Sequence, residues 1–321
     1  MSNRVQPCPY KCTWHLRHGV RSARIVRAVV ERSVVFIGAH VSVAQGLTSA
    51  VTYAQSVGCE SMQVFAKSPR RWDGPPTDAD AGVRFAEARE DAGIVSAFTH
   101  TAYLINLASP DDALWQRSVN ALADEITRAR LLRADGVATH LGTHPSGESA
   151  EAAERIANGI LAAFDRSKAD SGASTRLLLE NTAGGGTTYG RTVAAIGAVL
   201  ERCEGLRPLL GMCLDTCHAH AAGIDLASDD AWDSFLGEVE SACGTGAIKL
   251  IHANDCMFER GSHRDRHAWI GDGTMGTEAF GSMLGRPVLQ GVSVVTEMPG
   301  EVPEKDLENI RRLKALRGGL V

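Results

Sequence analysis

Residues 208–225 read PLLGMCLDTCHAHAAGID, an apolar run that breaks abruptly into Asp215, His218 and His220, with Cys213 and Cys217 interleaved. The run is the length of one strand, and others like it recur along the chain. They are VVFIGA (34–39), SMQVFA (61–66), IVSAFT (94–99), GVAT (136–139), TRLLLE (175–180), PLLGMCL (208–214), AIKLI (247–251) and VSVVT (292–296). Helical spacing of apolar residues fills much of the sequence between them, over 45–57, 78–92, 110–133, 148–170, 190–203 and 229–243. Eight strands alternating with helices is the count of an α/β protein of the (β/α)8 TIM-barrel class. A doubly wound open sheet is the alternative that strand counting leaves open.

Length agrees with the barrel: 321 residues accommodate one of roughly 250 residues plus extensions. No stretch reaches the ~18 unbroken apolar residues that a membrane-spanning helix needs. The eight cysteines, at 8, 12, 59, 203, 213, 217, 243 and 256, form no framework and follow no secretory leader, so reduced thiols and a cytoplasmic location are expected. The net charge of -5 is unevenly placed. Residues 1–35 carry seven Lys and Arg against Glu31 alone, a local +6 that leaves -11 on the remainder. Such a body does not bind nucleic acid by bulk positive charge; bound cations would have to supply the attraction, and they would also explain the accumulated carboxylates. Residues 1–32 have no clean period and are expected to be a disordered basic extension or a transit peptide ahead of a barrel domain at 33–321. Metal binding by Cys8, Cys12, His15 and His18 is disfavoured by the entropy of ordering isolated ligands.

The strand ends carry the functional signal. His100 follows IVSAFT, His140 follows GVAT, Glu180 closes TRLLLE, Asp215 follows PLLGMCL, His252 follows AIKLI and Glu297 follows VSVVT. One such residue is ordinarily a surface or hydrogen-bonding group. Six consecutive strands ending this way, in a fold that gathers strand C-termini around one mouth, point to a shared polynuclear metal site. Asp215 and His218 are three apart and can face one pocket. Asp265 and His267 alternate in GSHRDRHAWIGDG (261–273), so in an extended loop they point the same way and, with His218, make a set suited to zinc. Cys213 fits better as barrel filling, Cys217 is a weak ligand candidate, and their spacing is not that of a redox CxxC pair.

Taken together, IGAHVS (37–42), HTAYLINL (100–107), ENTAGGG (180–186), CLDTCHAHAAGID (213–225), HANDC (252–256) and RDRH (264–267) closely resemble the endonuclease IV family of apurinic/apyrimidinic endonucleases, in order, over residues 36 to about 316. The resemblance implies a base-excision-repair enzyme that hydrolyses the phosphodiester 5′ to an abasic site in duplex DNA, leaving a 3′-hydroxyl and a 5′-deoxyribose phosphate. It implies three Zn2+ ions per chain. His100, His140 and Glu180 resemble the ligands of one; Glu180, Asp215, His252 and Glu297 those of a second, with Glu180 bridging; His218, Asp265 and His267 those of the third. Glu180 and Glu297 are the expected catalytic residues, Glu180 fixing the metal spacing and Glu297 orienting the nucleophile. Arg70 in AKSPRRW, with Tyr103 and Leu104, resembles the family's minor-groove wedge, and Lys67 and Arg71 are expected phosphate contacts. A monomer is expected. The chain departs from the commonest family pattern at Leu141, Met298, Cys256 and around Arg70; no ligand is lost.

Two rivals remain at the level of sequence. A divalent-metal sugar isomerase or epimerase would use the same barrel mouth with one or two ions and no wedge. A damage-binding protein without catalysis would keep the loops and lose ligands.

Overall fold

A computed structural model describes residues 34–167 and 175–319. The expected basic extension, with Cys8, Cys12, His15 and His18, lies outside the described residues. Among the described residues ten strands form: Phe36–His40 (β1), Ser61–Phe65 (β2), Ser96–His100 (β3), Gly136–Thr139 (β4), Arg176–Glu180 (β5), Leu210–Asp215 (β6), Ile248–His252 (β7), Asp255–Cys256 (β8), His267–Ala268 (β9) and Ser293–Thr296 (β10). β8 and β9 pair antiparallel as a short ribbon, and the other eight close in the order β1-β10-β7-β6-β5-β4-β3-β2. Every barrel pairing is parallel. The closure excludes the open-sheet alternative: β1 pairs with both β2 and β10, leaving no free edge.

Alternation along each strand explains why the runs read as continuously apolar, because both faces are covered. On β5, Leu177 and Leu179 face outward into the main core while Leu178 faces the barrel axis. Leu178 there joins Phe98, Ala138, Cys213, Leu250 and Val295 in one interior layer. Cys213 therefore fills the barrel, with its Sγ within 4.8 Å of ligand atoms of Glu180 and His252. Below that layer, Ser96 Oγ lies 2.9 Å from Ser61 Oγ and 2.7 Å from Ser293 Oγ, a polar floor at the strand N-termini. Above it come the strand-end residues.

Six of the surrounding helices match the spacing of the sequence: Leu47–Ser56 (α1), Ala79–Ala92 (α2), Asp112–Leu131 (α3), Ala150–Ser167 (α4), Val193–Arg202 (α5) and Asp229–Cys243 (α7). Their starts are fixed locally. Asp78, Asp111, Thr192 and Ser228 each accept a hydrogen bond from a backbone N–H in the first turn that follows. Three further α-helices fall outside those spans: Thr216–Ala222 (α6), Gly276–Leu284 (α8) and Pro303–Gly318 (α9). α6 is only two turns long; α8 begins on a glycine and holds another; α9 buries just Asp306, Asn309, Ile310 and Leu313 among charged neighbours.

Gly38 in β1 shows how closely the barrel is drawn together. A Cβ built there would lie 1.7 Å from the Ser61 carbonyl oxygen of β2, which is backbone and cannot rotate away. Gly38→Ala is expected to force the β1–β2 pair apart and to lower Tm by on the order of 10 °C, or to prevent soluble expression. A thermal melt within about 2–3 °C of wild type would contradict this packing.

Candidate metal centre and active site

The strand-end residues meet at the C-terminal mouth around a cavity of about 500 Å³, lined by His100, His140, Glu180, His218, Asp265, His267 and Glu297, with His40, Phe65, Tyr103, Met257, Arg266, Met298 and Pro299. Asp215 and His252 are completely buried at its base. Glu180 is the hub. Its Oε2 is 3.0 Å from His100 Nε2 and 3.8 Å from His140 Nε2, and its Oε1 is 3.1 Å from His252 Nδ1 and 3.5 Å from His218 Nδ1. His252 Nδ1 is also 3.1 Å from Glu297 Oε2 and 3.9 Å from Asp215 Oδ2. His218 Nε2 lies 3.3 Å from Asp265 Oδ2, and His267 Nε2 lies 3.2 Å from Asp265 Oδ1 and 3.6 Å from Asp215 Oδ2.

The supporting hydrogen bonds determine which nitrogen each imidazole turns inward. Nδ1 of His100 donates to Thr101 O, Nδ1 of His218 to Asn181 O and Nδ1 of His267 to Glu297 O, so Nε2 of each faces the cavity. Asp215 caps α6 by accepting from the His218 N–H, which is why the spacing of three turns both side chains into one site. Asn254 ties the Asp215 carboxylate to the Glu297 backbone, donating to Asp215 Oδ2 and accepting from the Glu297 N–H.

Charge in this cluster is strongly biased. Burial alone would raise Glu180, yet the His140 and His252 charges and hydrogen bonds from His100 and His252 hold it well below the usual carboxylate range. Glu297 is likewise held low against its burial, chiefly by His252. Asp215 goes the other way: burial raises it, and the surrounding imidazoles offset this only in part. Burial pushes His140 down to about 4, while carboxylates overcome burial to raise His218 to about 10 and His267 to about 9. A cation entering here therefore competes with protons already held by imidazoles.

The donor set fits divalent metal on this geometry. Ligand atoms lie within 4.8 Å of one another in the sets His100, His140 and Glu180; Glu180, Asp215, His252 and Glu297; and Asp215, His218 and His267. His140 Nδ1 and His267 Nε2 are buried without a hydrogen-bond partner, the latter close to two carboxylates but not aligned with either. Nitrogen and carboxylate oxygen are the donors expected of zinc and its neighbours. Cys217 is close enough to Asp265 and His267 to count as a donor but is packed with Ala183, Ala221 and Cys256.

Of the remaining expected residues, Tyr103 stands on the rim, 61% exposed, its ring edge-on to Phe65 at 5.5 Å. Leu104 beside it is half-buried and Arg70 is exposed. The two segments are stitched together by the Tyr103 N–H donating to Pro69 O. Lys67, expected as a phosphate contact, is turned into the protein. Its Nζ is buried, donating to Asp124 Oδ2 at 2.7 Å and to Trp72 O, and lying 3.6 Å from Glu125 Oε1. Arg128 completes the fastening, donating to Pro75 O, Gly74 O and Asp124. Lys67 thus belongs to an anchor that pins the Arg70 loop to α3, a role that its place in the basic stretch KSPRR conceals. His40 and Gln63 also belong to the centre, where the sequence gives them little prominence: His40 lies inside IGAHVS, and Gln63 looks like a polar interruption in SMQVF.

Within the anchor, Glu125 accepts from the Ala102 N–H, next to Tyr103, and burial raises its carboxyl to about 7 against the opposing Lys67 charge. A folded value above the ordinary 4.5 means that the protonated form stabilises the fold and that this contribution is lost as pH rises through about 7. Glu125→Gln, which mimics the protonated acid, should gain about 2–3 kcal/mol over wild type between pH 5 and pH 8 in urea unfolding. An advantage that does not change with pH would refute the assignment.

Comparison with known proteins agrees with this architecture. Residues 51–316 match the family model described as xylose isomerase-like TIM barrel. The chain is 36% identical over 285 residues to a protein named probable endonuclease 4 from Methanoculleus marisnigri, covering 88% of this chain and 99% of that one. It is 38% identical over 281 residues to another of that name from Methanosphaerula palustris, covering 87% and 97%. The crystal structure of endonuclease IV from Thermus thermophilus superposes with a TM-score of 0.78 at 33% identity, over 88% of this chain and 99% of that chain. A D-tagatose 3-epimerase-like protein shares the fold, with a TM-score of 0.68 at 17% identity. With six strand-end ligand candidates in one basin and relatives matched along nearly their whole length, the chain belongs to the endonuclease IV family.

Proposed function

We propose that the protein is a DNA-repair endonuclease that hydrolyses the phosphodiester 5′ to abasic sites in duplex DNA, leaving a 3′-hydroxyl and a 5′-deoxyribose phosphate, with three zinc ions per chain. The observation that carries this reading is the convergence of seven imidazoles and carboxylates on one open cavity, with Asp215 and His252 buried at its base. Family membership supplies the reaction class. The ligand sets are His100, His140 and Glu180; Glu180, Asp215, His252 and Glu297; and His218, Asp265 and His267. When bound, such ions acidify water and neutralise phosphate charge, acting as Lewis acids.

The remaining work falls to the chain. Glu180, with one oxygen toward His100 and the other toward His252, sets the spacing between two of the ion positions. Glu297 has one oxygen toward His252 and the other toward His40 and Gln63, and its carboxylate orients the attacking water. Tyr103 and Leu104, braced against the Arg70 segment, enter the minor groove and fill the gap left by the missing base. Wedging costs least where stacking is already broken, which selects for damage. The acidic body needs the cations for DNA attraction as well as for chemistry.

Incision of a synthetic abasic duplex, with and without chelator, tests the reading directly: a single cut 5′ to the lesion is expected only from metal-replete protein. Fewer than about two ions per chain after gentle purification would favour a sugar isomerase instead.

Glu297→Gln should lower kcat by roughly 10²–10⁴-fold and leave equilibrium binding of abasic duplex within a few-fold. Unchanged turnover would remove the role given to Glu297. Dilute EDTA should inactivate over minutes to hours rather than at once, since buried, multiply liganded ions leave slowly. Immediate and complete loss would contradict the burial of the site.

A further inference from the structure

Gln63 is a neutral amide set against the ligand cluster from β2, as Asn254 is from the other side. It lies at the inward position of β2, completely buried, between the serine floor and Phe65. All three of its side-chain contacts go to the centre. Its Oε1 accepts from His252 Nε2 at 3.0 Å, and its Nε2 donates to Glu297 Oε1 at 2.7 Å and to His40 Nδ1 at 2.9 Å. The pattern is self-consistent: two amide hydrogens go to two acceptors, and the amide oxygen meets the one ring N–H. A reversed amide would set its oxygen against the Glu297 carboxylate.

The consequence concerns His252. Its Nδ1 is the nitrogen within reach of Glu180, Asp215 and Glu297. A ligating imidazole presents a lone pair there, so its single proton must sit on Nε2, in a place with no exposure to water. Gln63 Oε1 receives that proton's hydrogen bond. The same amide holds Glu297 Oε1 back, leaving Oε2 toward the ion position. We propose that Gln63 is a positioning residue of the metal centre, locking His252 in the tautomer that offers Nδ1 and fixing which Glu297 oxygen faces the ion. This rests on the metal-centre reading above and adds to it a residue that is not a ligand.

The test uses the holoenzyme, reconstituted with cobalt(II) as probe ion, and compares wild type with Gln63→Met, Gln63→Glu and Ser61→Ala. The last variant changes the same strand one layer further down and touches no ligand. Gln63→Met has nearly the same volume but no acceptor or N–H. It should release cobalt to excess chelator about 10–100-fold faster, alter the visible cobalt spectrum, and lower kcat on abasic duplex by a similar factor with KM unchanged. Ser61→Ala should match wild type in all of these. Gln63→Glu keeps an oxygen for His252 but not the donors for Glu297 and His40, so its release rate should fall between the two, and it decides the matter if Gln63→Met does not fold. Wild-type rates and spectrum in both Gln63 variants would overturn the inference alone. Wild-type protein that holds metal but leaves abasic DNA intact would overturn the functional reading and leave this one standing.

Discussion

The structure depends on Glu180, a carboxylate that is 1% exposed and surrounded by the nitrogens of four imidazoles. Burying a charge in an apolar barrel is prohibitive unless partners surround it. The barrel solves this by sequence register. Neighbouring strands are staggered, so that Glu180 of β5 pairs with Cys213 of β6 while Asp215, two residues further on, pairs with His252 of β7. Several strands thus deliver a polar side chain to the mouth, and each helps to offset the desolvation of the next.

The arrangement under that layer is graded. A serine floor closes the bottom, an apolar layer fills the middle, and the ionisable layer opens to solvent. The apolar layer keeps water away from the ligands on one side, so the cluster's electrostatics act in a poorly screened medium. Gln63 is the exception within that apolar region, and its contacts show why: every polar atom it has is used by a residue above it. The mouth is built differently. Its rim residues Arg70, Tyr103 and Leu104 ride on loops, and those loops are held by a buried ionic anchor on α3 rather than by strands. The ionisable cluster and the rim thus draw on separate supports, linked at Tyr103, which touches Phe65 and lies 6.0 Å from the His100 ring.

Much of this was legible in the chain. The eight apolar runs mark the eight barrel strands to within two residues, because a strand covered on both faces leaves an unmistakable short, unbroken apolar signature. The ionisable strand ends follow from the same pattern, since a polar residue abruptly ending such a run sits where the strand leaves the core. What was not legible has equally physical causes. α6 is only two turns long, α8 is a short helix that begins on a glycine and holds another, and α9 buries few apolar residues among charged neighbours. Lys67, between Ala66 and Ser68, looks like an exposed cation but folds inward because Asp124, 57 residues on, waits for it.

What the sequence by itself determined is therefore the set of strands, their order, and the chemical character of the ring at the barrel mouth. All three are local properties, readable from runs of a few residues. Only the tertiary structure decided closure, the pairing of donors, the tautomer of each imidazole, and the inclusion of Gln63 and His40. Gln63 meets Glu297 across 234 residues and His252 across 189. Such contacts exist because the first barrel strand closes onto the last, and no periodicity in a linear chain encodes which side chains that closure brings within hydrogen-bonding distance.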